Sequence, residues 1–177
     1  MTRRSRGREI ALQVLYLQEQ NPATDPKQVD RFINGRVREP NLILFTRALV
    51  AGVHQHQESI DHLIGLVAEN WRLDRMAAID RNILRLAAFE ILHCPDVPTR
   101  VAINEALELA KRYSTAQSSR FVNGVLDRLQ AESLAATAGT EQAEAEAAAD
   151  EPEAQDANPA GAKPTDDDES AGPVVEP

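Results

Sequence analysis

Apolar residues recur at intervals of three and four through the first 130 or so positions, and no segment alternates with a period of two for long. The pattern predicts an all-α body. A first helix carries Ile10, Val14 and Leu17 on one stripe, and the prolines of NPATDP, residues 21–26, stop it. A short second helix follows around Val29, Phe32 and Ile33. Pro40 suits the first turn of a third, in which Leu42, Phe45, Leu49, Val53, Ile60, Leu63 and Val67 hold one face. Gly52 and Gly65 interrupt that stretch, so it is either one bent helix or two.

From Met76 to Cys94 the helical wheel is apolar nearly all round, which places this helix in the middle of a bundle. CPDVP ends it. TRVAINEALELAKRY is the cleanest amphipath, with Glu108 and Arg112 spaced for an i,i+4 pair. Ser118 or Ser119 can cap a last helix whose inner face is Phe121, Val122, Val125, Leu126 and Leu129. Gly124, inside that helix, predicts a close helix contact. The expected architecture is a compact bundle of about seven helices.

Charge divides the chain near residue 133. Residues 1–133 hold 18 of the 19 Lys and Arg and 16 of the 28 Asp and Glu, a balance of +2; residues 134–177 hold one Lys and 12 acids, a balance of -11. The formal net charge of -9 therefore describes the end of the chain more than its body. From Ala135 there is no aromatic residue and little to bury, so the reading is a helical domain over 1–133 and a disordered acidic tail over 134–177. Cys94 is the only cysteine, which excludes an internal disulfide. No signal-peptide pattern or membrane-length apolar run is present, and a soluble cytoplasmic protein is the expectation.

Motifs for catalysis are missing: there is no Gly-rich phosphate loop, Walker pattern or G-x-S-x-G elbow. His54, His56, His62 and His93 form no H-x-x-x-H pair, and His93 beside Cys94 falls short of a zinc ligand set. No catalytic residue, metal or cofactor is expected. Glu90 lies on the core stripe and, once buried, needs a partner, either an arginine or a helix N-terminus. Tyr16 lies off the first helix's stripe, as a contact residue or as loose packing.

Arg3, Arg4, Arg6 and Arg8 all precede the first acid, Glu9. Cations at a helix start oppose the helix dipole, so something must offset them, and phosphate matches guanidinium bidentately. The alternative is a solvated end. In SSRFVNG a cation, Arg120, adjoins a ring, Phe121, on which an unstacked base can lie, although a Phe at a helix start is usually core.

RGREIALQVLY, IDRNILRLAAFEIL, DVPTRVAINEALELAKRY and SSRFVNGVLDRL, in this order, resemble the bacterial NusB family of transcription antitermination factors over about residues 4–130. The resemblance implies a seven-helix fold without catalysis. It implies binding of boxA-type RNA of ribosomal RNA leaders together with NusE, the tenth protein of the small ribosomal subunit. It further implies assembly with NusA, NusG and RNA polymerase for passage through terminators. It places Arg4, Arg6 and Arg8 in the family's arginine-rich RNA-binding start, Gln117, Arg120 and Phe121 in its second RNA-contacting segment, and Tyr16 and Asp80 at positions that face NusE. Some family members form homodimers that hide the RNA face.

Two positions depart from the family. Gln117 stands where many relatives carry an acid, and an amide repels phosphate less; Asp80 stands where relatives often have Glu, one methylene longer. The acidic tail exceeds the family pattern and is expected to fold back over the arginines, competing with RNA at low salt. Two other functions fit parts of the pattern: the detached NusB-like domain of an rRNA cytosine methyltransferase, and a helical adaptor that does not touch RNA. On the RNA reading, replacing Arg6 and Arg8 by Ala weakens RNA binding and leaves thermal stability unchanged.

Overall fold

The computed structural model describes residues 2–68 and 72–149. Among them are seven α-helices, one 3-10 turn and no strand. The helices are α1 (Arg3–Gln20), α2 (Pro26–Arg36), α3 (Pro40–Gln55), α4 (Gln57–Val67), α5 (Ala78–His93), α6 (Thr99–Tyr113) and α7 (Ala116–Ala149), with the 3-10 turn at Leu73–Arg75 before α5. No described helix is long and apolar enough to cross a membrane.

Local chemistry sets most of the boundaries. The Thr2 hydroxyl accepts the Ser5 N–H at 3.1 Å and opens α1. The Asp25 carboxylate accepts the Lys27 N–H at 2.9 Å, and Pro26 follows as the first residue of α2. Pro40 opens α3 as its sequence position predicts. The long stretch after it is two helices, and the break falls at His56, not at Gly52 or Gly65. Neither serine caps α7: the Thr115 hydroxyl accepts the Ser118 N–H at 3.2 Å, so the helix starts earlier than expected and Ser118 sits inside its first turn.

Helix α5 packs against α1, α3, α4, α6 and α7, the central place its apolar wheel predicts. Its Ile83, Leu84 and Leu86 meet Ile10, Leu12 and Val14 of α1, Ile60 and Ile64 of α4, and Leu126 and Leu129 of α7 in one core. Helix α1 is buried on more sides than its stripe suggests: residues 7–12, 14 and 15 are all inside. Helix α7 runs past residue 133 to Ala149, because AATAGTEQAEAEAAA is rich in the strong helix formers Ala and Glu. The tail expected from residue 134 thus falls partly on α7, and residues 150–177 lie outside the described residues.

Two glycines separate cleanly. A Cβ on Gly52 would lie 2.0 Å from the Phe89 ring, so this glycine is what lets α3 approach α5. A Cβ on Gly124 would meet nothing within 4 Å, and the close contact expected there does not exist. Gly124→Ala should therefore stabilise the chain by about 0.5–1 kcal/mol through helix propensity. Gly52→Ala should destabilise it by roughly 1–3 kcal/mol through overpacking. Urea unfolding of both variants checks the pair, and a neutral Gly52→Ala would mean that the α3–α5 contact is looser than described.

Candidate nucleic-acid interface

The four arginines at the start of α1 have four different environments. Arg3 is exposed and pairs with Glu39 at 2.9 Å. Arg4 is exposed, with its guanidinium carbon 5.5 Å from the centre of the Phe45 ring, and makes no ion pair among the described residues. The Arg6 side chain is 42% exposed and donates to Glu9 at 2.5 Å. Arg8 is inside.

The Arg8 side chain is 3% exposed and that of Glu90 is 1%. Arg8 donates from Nε to Glu90 Oε2 at 2.8 Å and from Nη2 to Oε1 at 2.7 Å, a bidentate pair that links α1 to α5. Glu105 adds a second carboxylate 3.8 Å from Arg8. Glu90 has the arginine partner its position calls for. The placement of Arg8 on the RNA-facing surface is overturned, because a guanidinium enclosed this way has no face left for phosphate. The dipole argument changes with it, since Glu39, Glu9 and Glu90 supply much of the offset assigned to an outside anion.

Glu9 gathers the next layer. Although only 4% exposed, it accepts from Arg6, from Arg112 Nη1 at 2.9 Å and from the Tyr113 hydroxyl at 2.5 Å. Burial pushes its carboxyl up, but Tyr113, Arg6 and Arg112 outweigh that and hold it below the usual carboxylate range. Gln13 donates to the Tyr113 oxygen at 3.0 Å. The start of α1 is thus tied to the end of α6, two residues before α7 begins. Arg112, spaced for Glu108, reaches Glu9 across the bundle, while Glu108 takes Lys111 at 2.7 Å. Glu9 and Tyr113 were not legible as site residues, because their partners lie about a hundred positions apart.

The second segment forms a cleft. Met76, Ala77, Asp80, Thr115, Gln117, Ser118 and Phe121 line a space of about 300 Å³ between the start of α5 and the start of α7. Gln117 and Arg120 are exposed and Phe121 is half-buried. Asp80 is 8% exposed and accepts the Ser118 hydroxyl at 2.9 Å, so it stands with Gln117 and Phe121. Tyr16, 42% exposed, lines a separate groove with Gln13, Gln20, Ala77, Ala78, Ile79 and Tyr113. Ala77 belongs to both walls, so the groove and the cleft adjoin across the start of α5.

No group of three or more metal-ligating side chains occurs among the described residues. The rings of His56 and His93 stack at 3.8 Å beside Phe89, and burial raises the Cys94 thiol above its ordinary value.

Two outcomes follow from the buried charges. Arg8→Ala or Glu90→Ala should each cost about 3–5 kcal/mol by stranding the other charge, and the double change to Met should cost less than either. Chemical unfolding tests this, and a loss of that size would contradict the expectation that removing Arg8 spares stability. For Glu9 the folded carboxyl titrates below its ordinary value near 4.5, so its contribution is present above that pH and is lost as the pH falls through the folded value. Glu9→Gln should therefore flatten the acid limb of a pH-stability profile below about pH 4.5.

A model of the NusB family matches residues 5–131. The transcription antitermination protein NusB of Myxococcus xanthus (strain DK1622) is 47% identical over 133 residues, which span 73% of this chain and 95% of that protein. The solved NusB of T. maritima is 35% identical with a TM-score of 0.66, covering 75% of this chain and 92% of that one. A chain from the crystal structure of antitermination factors NusB and NusE in complex with dsRNA shares the fold at 23% identity and a TM-score of 0.68, covering 75% and 98%. With the helix order, the core and the match over residues 5–131 agreeing, this chain belongs to the NusB family.

Proposed function

We propose that the chain is a non-enzymatic transcription antitermination factor that binds single-stranded boxA-type RNA of ribosomal RNA leaders together with NusE. In that role it acts in the cytoplasm with NusA, NusG and RNA polymerase, and the assembly carries the polymerase past terminators. The observation that carries the reading is the juxtaposition at the start of α7. A cleft lined by Gln117 and Phe121 adjoins an exposed arginine, Arg120, and opens next to the mainly apolar groove of Tyr16. A ring and an amide suit unstacked bases, and the cation suits the backbone that carries them.

The RNA-facing cations on this reading are Arg4, Arg6 and Arg120. Arg8 serves by holding α1 in register. Tyr16 and its groove are assigned to NusE, because an exposed aromatic over apolar surface suits a protein partner better than a polyanion. The name of the Myxococcus xanthus relative supports antitermination. The neighbour captured with NusE and dsRNA supports RNA and NusE as the two ligand classes.

The test is binding of a boxA-type RNA, followed by fluorescence anisotropy across a salt series with and without purified NusE. Arg4 and Arg120 make no ion pair among the described residues, so Arg4→Ala with Arg120→Ala should leave the melting temperature in place. The same change should lower the slope of log K against log salt by about 1.4, some 0.7 per phosphate contact on single strands. Tyr16→Ala should weaken NusE binding and spare the salt slope for RNA alone. An unchanged slope in the double arginine variant would remove RNA from the function.

A further inference from the structure

We infer that the outer face of α2 is a track for flanking RNA, on which Lys27, Arg31 and Arg38 take phosphates of a strand that runs on from the start of α1. The inference rests on the RNA-binding reading above and adds a surface which that reading does not use.

Periodicity builds the face. In PKQVDRFINGR, Val29 and Ile33 turn into the core, and Lys27, Arg31 and Asn34, spaced by four and three, are left together on the outside. Arg31 Nε donates to the Lys27 carbonyl at 3.3 Å, one turn back along the same side. Arg38 follows in the link to α3 and is exposed as well. Arg36 leaves the row to lie over the Phe32 ring, 3.5 Å from its centre, and as a last-turn cation it is favoured by the helix dipole.

The other three cations have no such local account. Like charges one turn apart are unfavourable on a helix, and Lys27 stands in the first turn, where the dipole opposes a cation. None of the three makes an ion pair among the described residues, and the neighbouring acids are engaged elsewhere. Asp25 accepts the Lys27 backbone N–H as the cap of α2, Asp30 holds Arg47 of α3 at 2.8 Å, and Glu39 holds Arg3 of α1 at 2.9 Å.

Glu39 also fixes where the row leads. Its pair with Arg3 brings the link after α2 to the start of α1, where Arg4 stands over Phe45 of α3. Arg38 therefore adjoins the cations assigned to RNA, and the row continues from there along a helix about 16 Å long. Gln28 and Gly35 complete the exposed side, so it has no apolar centre of the kind a folded protein partner requires. Separate cations on a polar face suit a flexible polyanion. They read no sequence, so the track adds affinity for what flanks the recognised element and leaves specificity alone.

Three RNAs test this on the full chain: a boxA-type RNA, and the same RNA extended by twelve uridines on its 5′ or its 3′ side, each followed by anisotropy across a salt series. One of the two extensions should steepen the slope of log K against log salt by about 2, some 0.7 for each of three phosphates. Lys27→Gln with Arg31→Gln and Arg38→Gln should abolish that increment and leave the short RNA unchanged in affinity and slope. The melting temperature should hold, because none of the three side chains has an ion pair to lose. No increment from either extension overturns the inference, and so does an increment that survives the triple change. An equal loss of slope for the short RNA would reduce the effect to net charge, and a loss confined to NusE would make the face a protein interface; each overturns the track. A chain that binds none of the three RNAs removes the RNA reading and this inference with it.

Discussion

The pair of Arg8 with Glu90 is the interaction on which the arrangement at the start of α1 depends. Two charges enclosed in a core are tolerated only when each satisfies the other in good geometry, and a two-pronged guanidinium on a carboxylate has one way to fit. That requirement sets both the rotation of α1 and its height against α5. A shift of α1 by one residue would strand Glu90 in the densest part of the bundle. Arg4, one helical turn before Arg8, then comes to the same Phe45 ring as Arg8, each 5.5 Å from its centre. The internal arginine thus helps to aim an external one.

Polar networks hold α1 at its far end as well. Glu19 accepts from Arg81 and Asn82 of α5, while Arg85 spans Glu19 and a bidentate contact to Asp61 of α4 at 2.7 Å on each prong. Arg81 also donates to the carbonyls of Leu73 and Met76, which ties the segment leading into α5, and so one edge of the cleft, to the core. Between these ends Glu9 joins α1 to Arg112 and Tyr113 at the end of α6. The groove of Tyr16 and the cleft of Phe121 therefore stand on elements braced by ions, and their walls need little ordering when a ligand arrives.

What was legible in the chain followed from periodicity and local chemistry. The central place of α5, the proline that opens α3, and the need of Glu90 for a buried partner all come from patterns within a turn or two. The NusB-like segments supplied the topology and the two candidate surfaces. What was not legible needed tertiary contact. Arg4, Arg6 and Arg8 are alike as letters, and only the packing of α1 shows that one of them is enclosed. Gly124 obeys no contact, and Gly52, which does, looked like a mere interruption. The cap of α7 is not decided by the sequence because Ser114, Thr115, Ser118 and Ser119 are all competent, and the choice of Thr115 depends on where the chain leaves α6. The bond of Asp80 to the Ser118 hydroxyl of α7 likewise crosses between elements far apart in the chain.

Cations alone hold nucleic acid without reading it, because guanidinium on phosphate is blind to sequence. A face that holds a backbone also needs its nearby carboxylates neutralised. Carboxylates under the arginines of α1 are consumed internally by Arg8, Arg6, Arg112 and Tyr113, which limits their repulsion of a backbone outside. The carboxylate of Asp80 is turned inward in the same way, to the Ser118 hydroxyl, and ties the start of α5 to the start of α7.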